Sequence, residues 1–480
     1  MKVMLINPPW YIFQGSSFPE IPLGLSYLAS FLKSKGHQVK VFNADFLSST
    51  KSSDKSIFNH YSAYLSRLRN IRDPIWQRVE KEIRDFYPQV VGITLKTGSF
   101  VSGCMVANIT KGISPEIITV AGGPHATLLP EEVLQEGTFD YVIRGEGEIT
   151  FAELLEKLEK GEEGKELRGI SALKNGKVIH NPDRTFIENL DNLPFPERDD
   201  HIPSYSPEGL GLIMTGRGCP YACTFCASDK IWKRKVRFRS PENVIQEILF
   251  LYRRYGVTHL KFRDDTFTLK KDRVLDICDR IISTGIPITW QCDTRADCID
   301  EEIARKMRQA GCIGASIGVE TGSERLLRYI QKGETKESIK RGIRILRKYR
   351  INVAIFLMIG FPGETEEEIK ETLEFARELS PHHMVLSILT PYPGTKIFQE
   401  AIKEGLLSPE KKRWESWFHQ SPDMGLFQDR EKFRELARWV FEEVEKYNTA
   451  FIRKWENLIS RMNFRLLKTR LSRVFILRPG

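Results

Sequence analysis

The chain is predicted to be α/β, with two sheet-based domains followed by a helical C-terminal region. Three observations carry this prediction. Short apolar runs alternate with longer amphipathic stretches over the first 150 residues, the same alternation returns from 211 to 390, and only helical periodicity follows Lys403. A length of 480 residues suits about three domains of ~150 residues, with a core large enough to fold without a disulfide or metal staple. Apolar residues at 41% and charged residues at 28% exclude collagen-like and disordered classes.

The first strands are read at Val3 to Ile6, Val39 to Phe42, Val90 to Leu95, Ile117 to Ala121 and Tyr141 to Ile143. Runs this apolar suit a parallel sheet buried on both faces. Leu25 to Lys35 and Glu131 to Gln135 have helical spacing, and Gly36 and Gly137 stand where helices should stop. Residues 1–150 therefore read as a doubly wound, Rossmann-like domain. After a helix near Phe151 to Lys160, the stretch Leu167 to Ile187 holds Asn175-Gly176 between alternating residues, a hairpin signal. A Pro-containing connection, Leu190 to Pro203, completes a hairpin-and-linker unit over 151–204.

Six further strands are read at Gly211 to Thr215, Thr258 to Phe262, Ile288 to Cys292, Ile313 to Val319, Asn352 to Ile359 and Met384 to Leu389, each beside a helical segment. This repetition predicts a complete or partial TIM-type β/α barrel over 205–400, with its site at the C-terminal strand ends. The unusual residues fall there: Cys219 to Cys226, Asp264-Asp265, Asp293, Glu320, Gly360 to Gly363 and Thr390 to Gly394 follow the six strands in turn. Residues 401–480 are helical in pattern and rich in tryptophan: Trp414, Trp417, Trp439 and Trp455.

The net charge is +9, but residues 451–480 hold eight basic residues and one acid, which leaves +2 for the rest. The basic character belongs to this tail, so nucleic acid is not the expected partner. No run approaches the ~18 apolar residues that span a bilayer, and Asn7-Pro8-Pro9 interrupts the opening apolar strand. Neither a signal peptide nor a transmembrane helix is read. Eight cysteines are too few for a secreted disulfide scaffold, which points to a reducing, cytoplasmic setting.

Three of those cysteines crowd into Gly218-Cys219-Pro220-Tyr221-Ala222-Cys223-Thr224-Phe225-Cys226. A C-x3-C-x2-C loop after a strand can wrap three thiolates around one soft metal centre and leave a coordination position open. A zinc knot would call for a fourth Cys or His and paired C-x2-C spacing. Cys278, Cys292, Cys298 and Cys312 lie in or beside helix and strand patterns and read as small buried hydrophobes, none of them indicated as a fourth ligand.

With its aromatic Phe225 before the third cysteine, the loop resembles the signature of the radical S-adenosylmethionine enzymes. The resemblance implies that Cys219, Cys223 and Cys226 hold a [4Fe-4S] cluster whose open iron binds S-adenosylmethionine. Reductive cleavage then yields a 5′-deoxyadenosyl radical, able to take hydrogen from C–H bonds that no side-chain base could deprotonate. It implies further that Asp264 or Asp265 and Glu320 contact S-adenosylmethionine, as alternatives to capping helices or pairing with Arg263 and Arg325. Gly363, in Phe361-Pro362-Gly363-Glu364, and Tyr392, in Pro391-Tyr392-Pro393-Gly394, resemble the family's turns after strands five and six; Pro-Gly is also ordinary turn chemistry.

In the first domain, Thr94 to Ser99, Gly122-Gly123-Pro124-His125-Ala126-Thr127 and Arg144-Gly145-Glu146-Gly147-Glu148 all follow strands, where open α/β sheets bind ligands. A dinucleotide site is discounted, because the last segment lacks a third glycine and carries two carboxylates where a pyrophosphate would lie. With the barrel downstream, residues 1–400 resemble the cobalamin-binding radical S-adenosylmethionine family. That resemblance assigns Thr94, Thr97, Gly122, Gly123, Pro124, His125, Glu146 and Gly147 to cobalamin. The D-x-H-x-x-G motif whose histidine binds cobalt elsewhere is absent, and neither His37 nor His125 has its context. A methylthiotransferase would hold a second cluster on three N-terminal cysteines, whereas residues 1–200 contain only Cys104.

In the tail, Phe451, Ile452, Trp455, Leu458, Ile459 and Met462 recur at helical spacing among basic residues. Such a helix packs on the barrel with a solvated charged face, or lies on a membrane surface near a lipid substrate. The resemblance implies an enzyme that methylates an unactivated carbon of a small-molecule or lipid substrate. It would consume two molecules of S-adenosylmethionine per turnover and take electrons from a donor such as flavodoxin or ferredoxin. Cyclisation or rearrangement without methyl transfer is one alternative, and a non-catalytic cobalamin or redox sensor is another.

Overall fold

The computed structural model describes residues 1–15, 19–48, 61–201, 204–408 and 413–450. It forms two compact units that are not contiguous in sequence. The first comprises Met1–Leu210, Phe225–Arg237 and Thr390–Met424; the second comprises Gly211–Thr224, Phe238–Leu389 and the chain from Gly425.

The first unit is built on a seven-stranded sheet. Its strands are β1 (Lys2–Asn7), β2 (Gln38–Asn43), β3 (Val90–Thr94), β4 (Ile118–Gly122), β5 (Tyr141–Ile143), β6 (Ile170–Lys174) and β7 (Lys177–His180), in the order β2-β1-β3-β4-β5-β6-β7. The first five are parallel, with Val3 opposite both Val39 and Val90. Val3, Met4, Leu5 and Ile6 are wholly buried, as a strand covered on both faces requires. Helices Leu23–Ser34 and Gly147–Glu159 close one face around Leu25, Leu32, Phe151 and Leu155. A Cβ on Gly92 of β3 would stand 2.8 Å from Leu5 and 2.9 Å from Phe151, so only glycine admits this packing.

Asn175 (φ 52°) and Gly176 (φ 73°) make the two-residue turn expected between β6 and β7. The hairpin is no separate unit, however: β6 pairs antiparallel with β5, Val142 opposite Ser171, and continues the sheet. The hairpin pairs the hydrogen-bonding edge that β5 would otherwise leave open.

Two short strands, β8 (Leu212–Ile213) and β9 (Gly216–Arg217), precede the cysteine loop, and β10 (Arg237–Phe238) follows it. The second unit's main sheet joins β8 to β11 (His259–Phe262), β12 (Thr289–Thr294), β13 (Cys312–Glu320), β14 (Asn352–Ile359) and β15 (His383–Ile388). The order β15-β14-β13-β12-β11-β8 is all parallel and open between its end strands, a partial (β/α)6 barrel.

The region after 400 is less uniformly helical than its periodicity predicts. Helix Lys396–Lys403 and the segment from Trp414 to Met424, which has a single turn of 3-10 helix, belong to the first unit, whereas helix Arg430–Thr449 packs on β15 in the second. The amphipathic stretch at 451–480 lies outside the described residues. Among the described residues, no helix is long and apolar enough to cross a membrane.

Candidate functional site: a cysteine loop and two sets of strand ends

Cys219, Cys223 and Cys226 are free and half-buried on a stretch that Gly218 enters with φ +97° and that has no regular structure before residue 228. Burial pushes the Cys219 thiol up and that of Cys223 to about 11, with Arg295 opposing at both and Lys332 at Cys223. Thiols so placed ionise when a metal takes the proton's place, and two nearby cations offset the charge. Among the described residues, no three His, Cys, Asp or Glu side chains converge tightly enough to grip a metal unaided. The chemistry of the donors nevertheless fits an iron–sulfur cluster: three thiols on one adaptable loop, with no carboxylate or imidazole interleaved. Of the remaining cysteines, Cys104, Cys278, Cys292 and Cys312 are buried, and Cys298 lies 3.8 Å from the Tyr221 hydroxyl.

In the second unit the loop is tied to a buried ionic network. The Thr224 amide donates to the Ile330 carbonyl at 3.0 Å, two residues before Lys332. The Lys332 ammonium is 3.1 Å from Glu320 and 3.2 Å from Glu334, and it also donates to the Gly318 carbonyl. Arg295 reaches Asp297 at 2.7 Å and Glu334 at 3.9 Å, and its guanidinium lies 3.7 Å over the Tyr221 ring. Glu320 itself has φ +67°, a left-handed conformation that costs a non-glycine residue about 1–3 kcal/mol, at a register shift between β13 and β14. Sequence reasoning reaches Glu320 but misses Lys332, Glu334 and Arg295. Between two helices, the run Gln331-Lys332-Gly333-Glu334 has the composition of a solvated turn.

The two carboxylates after β11 part company. Asp264 is buried, accepting from the Thr215 amide at 2.6 Å and from the Thr215 hydroxyl, so it ties β8 to β11. Burial raises its pKa against those bonds and against Arg273. Asp265 is exposed, and its charge is felt at Cys219. Of the arginines considered above, Arg263 lies 3.6 Å from Asp293, and Arg325 binds Glu368 and the Gly363 carbonyl. Gly363 (φ +61°) forms an exposed turn whose neighbour Glu364 is buried against the amides of Gly360 and Phe361. In the first unit, Phe225 is half-buried, and burial pushes the half-buried Tyr392 hydroxyl to about 12.

At the strand ends of the first unit, Gly123 (φ +93°) lies so close to Thr94 and Leu95 that a Cβ would meet the Thr94 hydroxyl at 2.8 Å and the Leu95 carbonyl at 3.0 Å. Gly122 ends β4, and Pro124 opens the short helix in which His125 sits. His125 is fully buried, its Nδ1 3.2 Å from the Thr97 hydroxyl, its ring 4.4 Å from that of Phe100 and 5.1 Å from that of Trp414. His37 lies before β2, at the other end of the sheet, 3.1 Å from the N-terminal amine. Glu146 is turned inward: it accepts from the Ile187 amide at 2.8 Å and pairs with Arg237 at 2.7 Å, both side chains about 95% buried. Gly147 begins the helix beyond it.

Two residues that the sequence reading missed stand at the same strand ends. Asp45, after β2, accepts from the amides of Trp10 and Ile12, and burial raises it to about 7. Lys96, after β3, keeps exposed surface yet is flanked by enough protein to hold its ammonium below the ordinary lysine range, with Asp45 acting against that. Glycine turns, a lysine and a buried carboxyl are a donor set suited to a corrin held by shape and hydrogen bonds.

Comparison with known proteins agrees with both halves. The B12 binding domain model matches residues 16–155, and the Radical SAM superfamily model matches 213–376. An uncharacterized methyltransferase of Pyrococcus horikoshii is 36% identical over 415 residues, 85% of this chain and 84% of that protein. The anaerobic magnesium-protoporphyrin IX monomethyl ester cyclase of Rubrivivax gelatinosus is 28% identical over 416 residues, 83% of this chain and 70% of the relative. The radical S-adenosylmethionine methyltransferase TsrM from Kitasatospora setae, at 19% identity, has the same fold, with a TM-score of 0.68 over 84% of this chain and 76% of that one. The chain belongs to the B12-binding radical S-adenosylmethionine enzymes, the family whose cofactors are a [4Fe-4S] cluster, S-adenosylmethionine and cobalamin.

Proposed function

We propose that this enzyme methylates an unactivated carbon of a small-molecule substrate. The observation that carries the reading is the cysteine loop, three free half-buried thiols of which Cys219 lies near Arg295 and Cys223 near both Arg295 and Lys332, in a chain that also matches the B12 binding domain model. When bound, the cluster and S-adenosylmethionine supply a 5′-deoxyadenosyl radical, and cobalamin supplies the methyl group.

The chain's own contribution is holding and exclusion. Cys219, Cys223 and Cys226 are the cluster ligands. Lys332 and Arg295 offset the thiolate charge at Cys223, and Asp265, Glu320 and Gly363 of the second unit border S-adenosylmethionine. Asp264 is a positioning residue, since its carboxylate is engaged by Thr215. Thr94, Gly122, Gly123, Pro124 and Gly147 shape the cobalamin side together with Lys96, while Thr97, His125 and Glu146 support it from within. The reading keeps 1–150, 151–204, 205–400 and 401–480 as stretches of sequence, with the 151–204 hairpin continuing the first sheet. A reactive carbon radical demands a substrate held close and water kept out, which strand-end residues of a rigid sheet can provide.

A second reading, cyclisation without methyl transfer, is favoured by the likeness to the magnesium-protoporphyrin ester cyclase. An anaerobic assay separates the two. Methyl transfer yields S-adenosylhomocysteine and 5′-deoxyadenosine in equal amounts and a product heavier by one methylene. Cyclisation yields no S-adenosylhomocysteine, and a sensor yields neither compound.

A further inference from the structure

We infer that a cavity of the first unit, walled by Arg144, Arg184, Lys230 and Lys233, binds the carboxylate or phosphate group of an acidic small molecule. The inference is independent of the methylation reading above.

Three stretches of chain form the cavity: the loop after β5 with Arg144, Gly145 and Glu146, the segment 183–186 after β7, and the short helix Ser228–Trp232 with Lys233 beyond it. That helix begins two residues after Cys226, whose sulfur accepts from the Ser228 amide at 3.5 Å, so an acid held here lies about one helical turn from the cysteine loop. The volume is about 150 Å³, and a cavity of about that size admits a guest as large as benzene. The occupant is therefore a small acid or the acid end of a larger molecule.

The walls carry more positive charge than the protein offsets. Asp183 alone serves two of the cations, Arg144 at 2.7 Å and Lys233 at 2.8 Å. The hydrogen bond from Lys233, aided by the Arg144 charge, holds its carboxyl below the usual carboxylate range against the effect of burial. Arg184 pairs with Glu153, Lys230 with Asp229 at 3.3 Å, and Glu146 with Arg237 at 2.7 Å. These groups are five cations and four carboxylates, and the positive charge left over is at Asp183. Beyond the walls, Lys235 pairs with Glu188 at 2.5 Å, and Arg234 and Glu148 add one charge of each sign.

Hydrogen bonding points the same way. Arg144 Nε and Arg237 Nε and Nη2 are buried N–H groups with no acceptor among the described residues. Arg237 is only 5% exposed, and its guanidinium lies 4.6 Å from the ring of Phe186, which lines the cavity. Nε and Nη2 share one edge of a guanidinium, the fork that grips a carboxylate or phosphate through two oxygens. An arginine keeps its proton whatever its surroundings, so an oxyanion is the chemistry that completes these walls. A metal cation would add to the surplus charge, and an apolar guest would leave the donors unmet.

The test is equilibrium dialysis of the full chain against inorganic phosphate and, separately, acetate, with and without bound cobalamin and at rising chloride. The parent is expected to bind at least one of them, more weakly as chloride rises. Lys233→Gln, which evens the charge and leaves Asp183 to Arg144, should bind about tenfold more weakly. Asp183→Asn, which removes the competing carboxylate, should bind about threefold or more tightly. Thermal melts establish that both are folded; where Asp183→Asn is not, Lys233→Gln decides alone. Binding of phosphate only identifies a phosphate ester as the ligand class, and binding of acetate a carboxylic acid. No binding by the parent, or equal binding by the parent and Lys233→Gln, overturns the inference. Phosphate binding that cobalamin abolishes also overturns it, because the cavity then holds the phosphodiester of cobalamin itself.

Discussion

The Lys332 ammonium bridges the carboxylates of Glu320 and Glu334, 3.1 Å and 3.2 Å away, with every partner at least nine-tenths buried. A cation between two anions in such a place is held by desolvation as much as by attraction, because removing it strands two buried charges. Lys332→Met should therefore destabilise the protein by about 3–5 kcal/mol in urea unfolding. Glu320→Gln/Lys332→Met, which removes one charge of each sign, should recover part of the loss. Burial pulls the Lys332 pKa down and the two carboxylates outweigh it, so its folded value lies above the unfolded one. The stabilisation is then complete below the ordinary lysine pKa and is lost as pH rises through the folded value.

Glu146 and Arg237 make a second buried pair in the first unit. Glu146→Ala should cost about 3–5 kcal/mol by leaving Arg237 uncompensated. Glu146→Ala/Arg237→Met should be milder than Glu146→Ala. If Glu146 instead contacted cobalamin from an exposed position, the single change would lower cobalamin content with little effect on unfolding.

His125 is packed between Phe100 and Trp414. His125→Ala should lower stability by about 2–4 kcal/mol through the cavity it leaves. The visible spectrum of bound cobalamin should be unchanged; a band shift would identify His125 as a cobalt ligand.

Glu364 is a buried acid raised by burial to about 8; its Oε2 accepts from the amides of both Gly360 and Phe361, while its Oε1 is buried without a hydrogen-bond partner among the described residues. A folded pKa above the unfolded 4.5 means that the folded state holds the proton more tightly between those values, so this group makes stability fall as pH climbs from about 4.5 to 8. Glu364→Gln keeps an acceptor for the two amides and removes the titration. Its unfolding free energy should decline less than the parent's over that window.

The strands were legible in the sequence because their runs are apolar: Val3 to Ile6 is wholly buried in the parallel part of the first sheet, and Asn352 to Ile359 keeps an apolar run although only alternate residues are buried. Asn175-Gly176 announced its hairpin through turn chemistry, but its pairing partner β5 is set by tertiary geometry that local pattern does not carry. The cysteine loop was legible because its spacing is chemical. Lys332, Arg295, Asp45 and Lys96 were not, since a charged residue facing inward has the same letters around it as one facing water. Asp264 and Asp265 differ by one position along the chain, and only the fold decides that the first serves Thr215 and the second stays exposed.

The central claim, that the Cys219–Cys223–Cys226 loop carries an iron–sulfur cluster in a cobalamin enzyme, is tested most directly by metal analysis after anaerobic reconstitution with iron, sulfide and cobalamin. The account predicts about four irons and four sulfides per chain together with cobalt. It predicts that replacing all three cysteines with alanine removes the iron and leaves the cobalt. Zinc in place of iron, or iron retained by the triple variant, would contradict it.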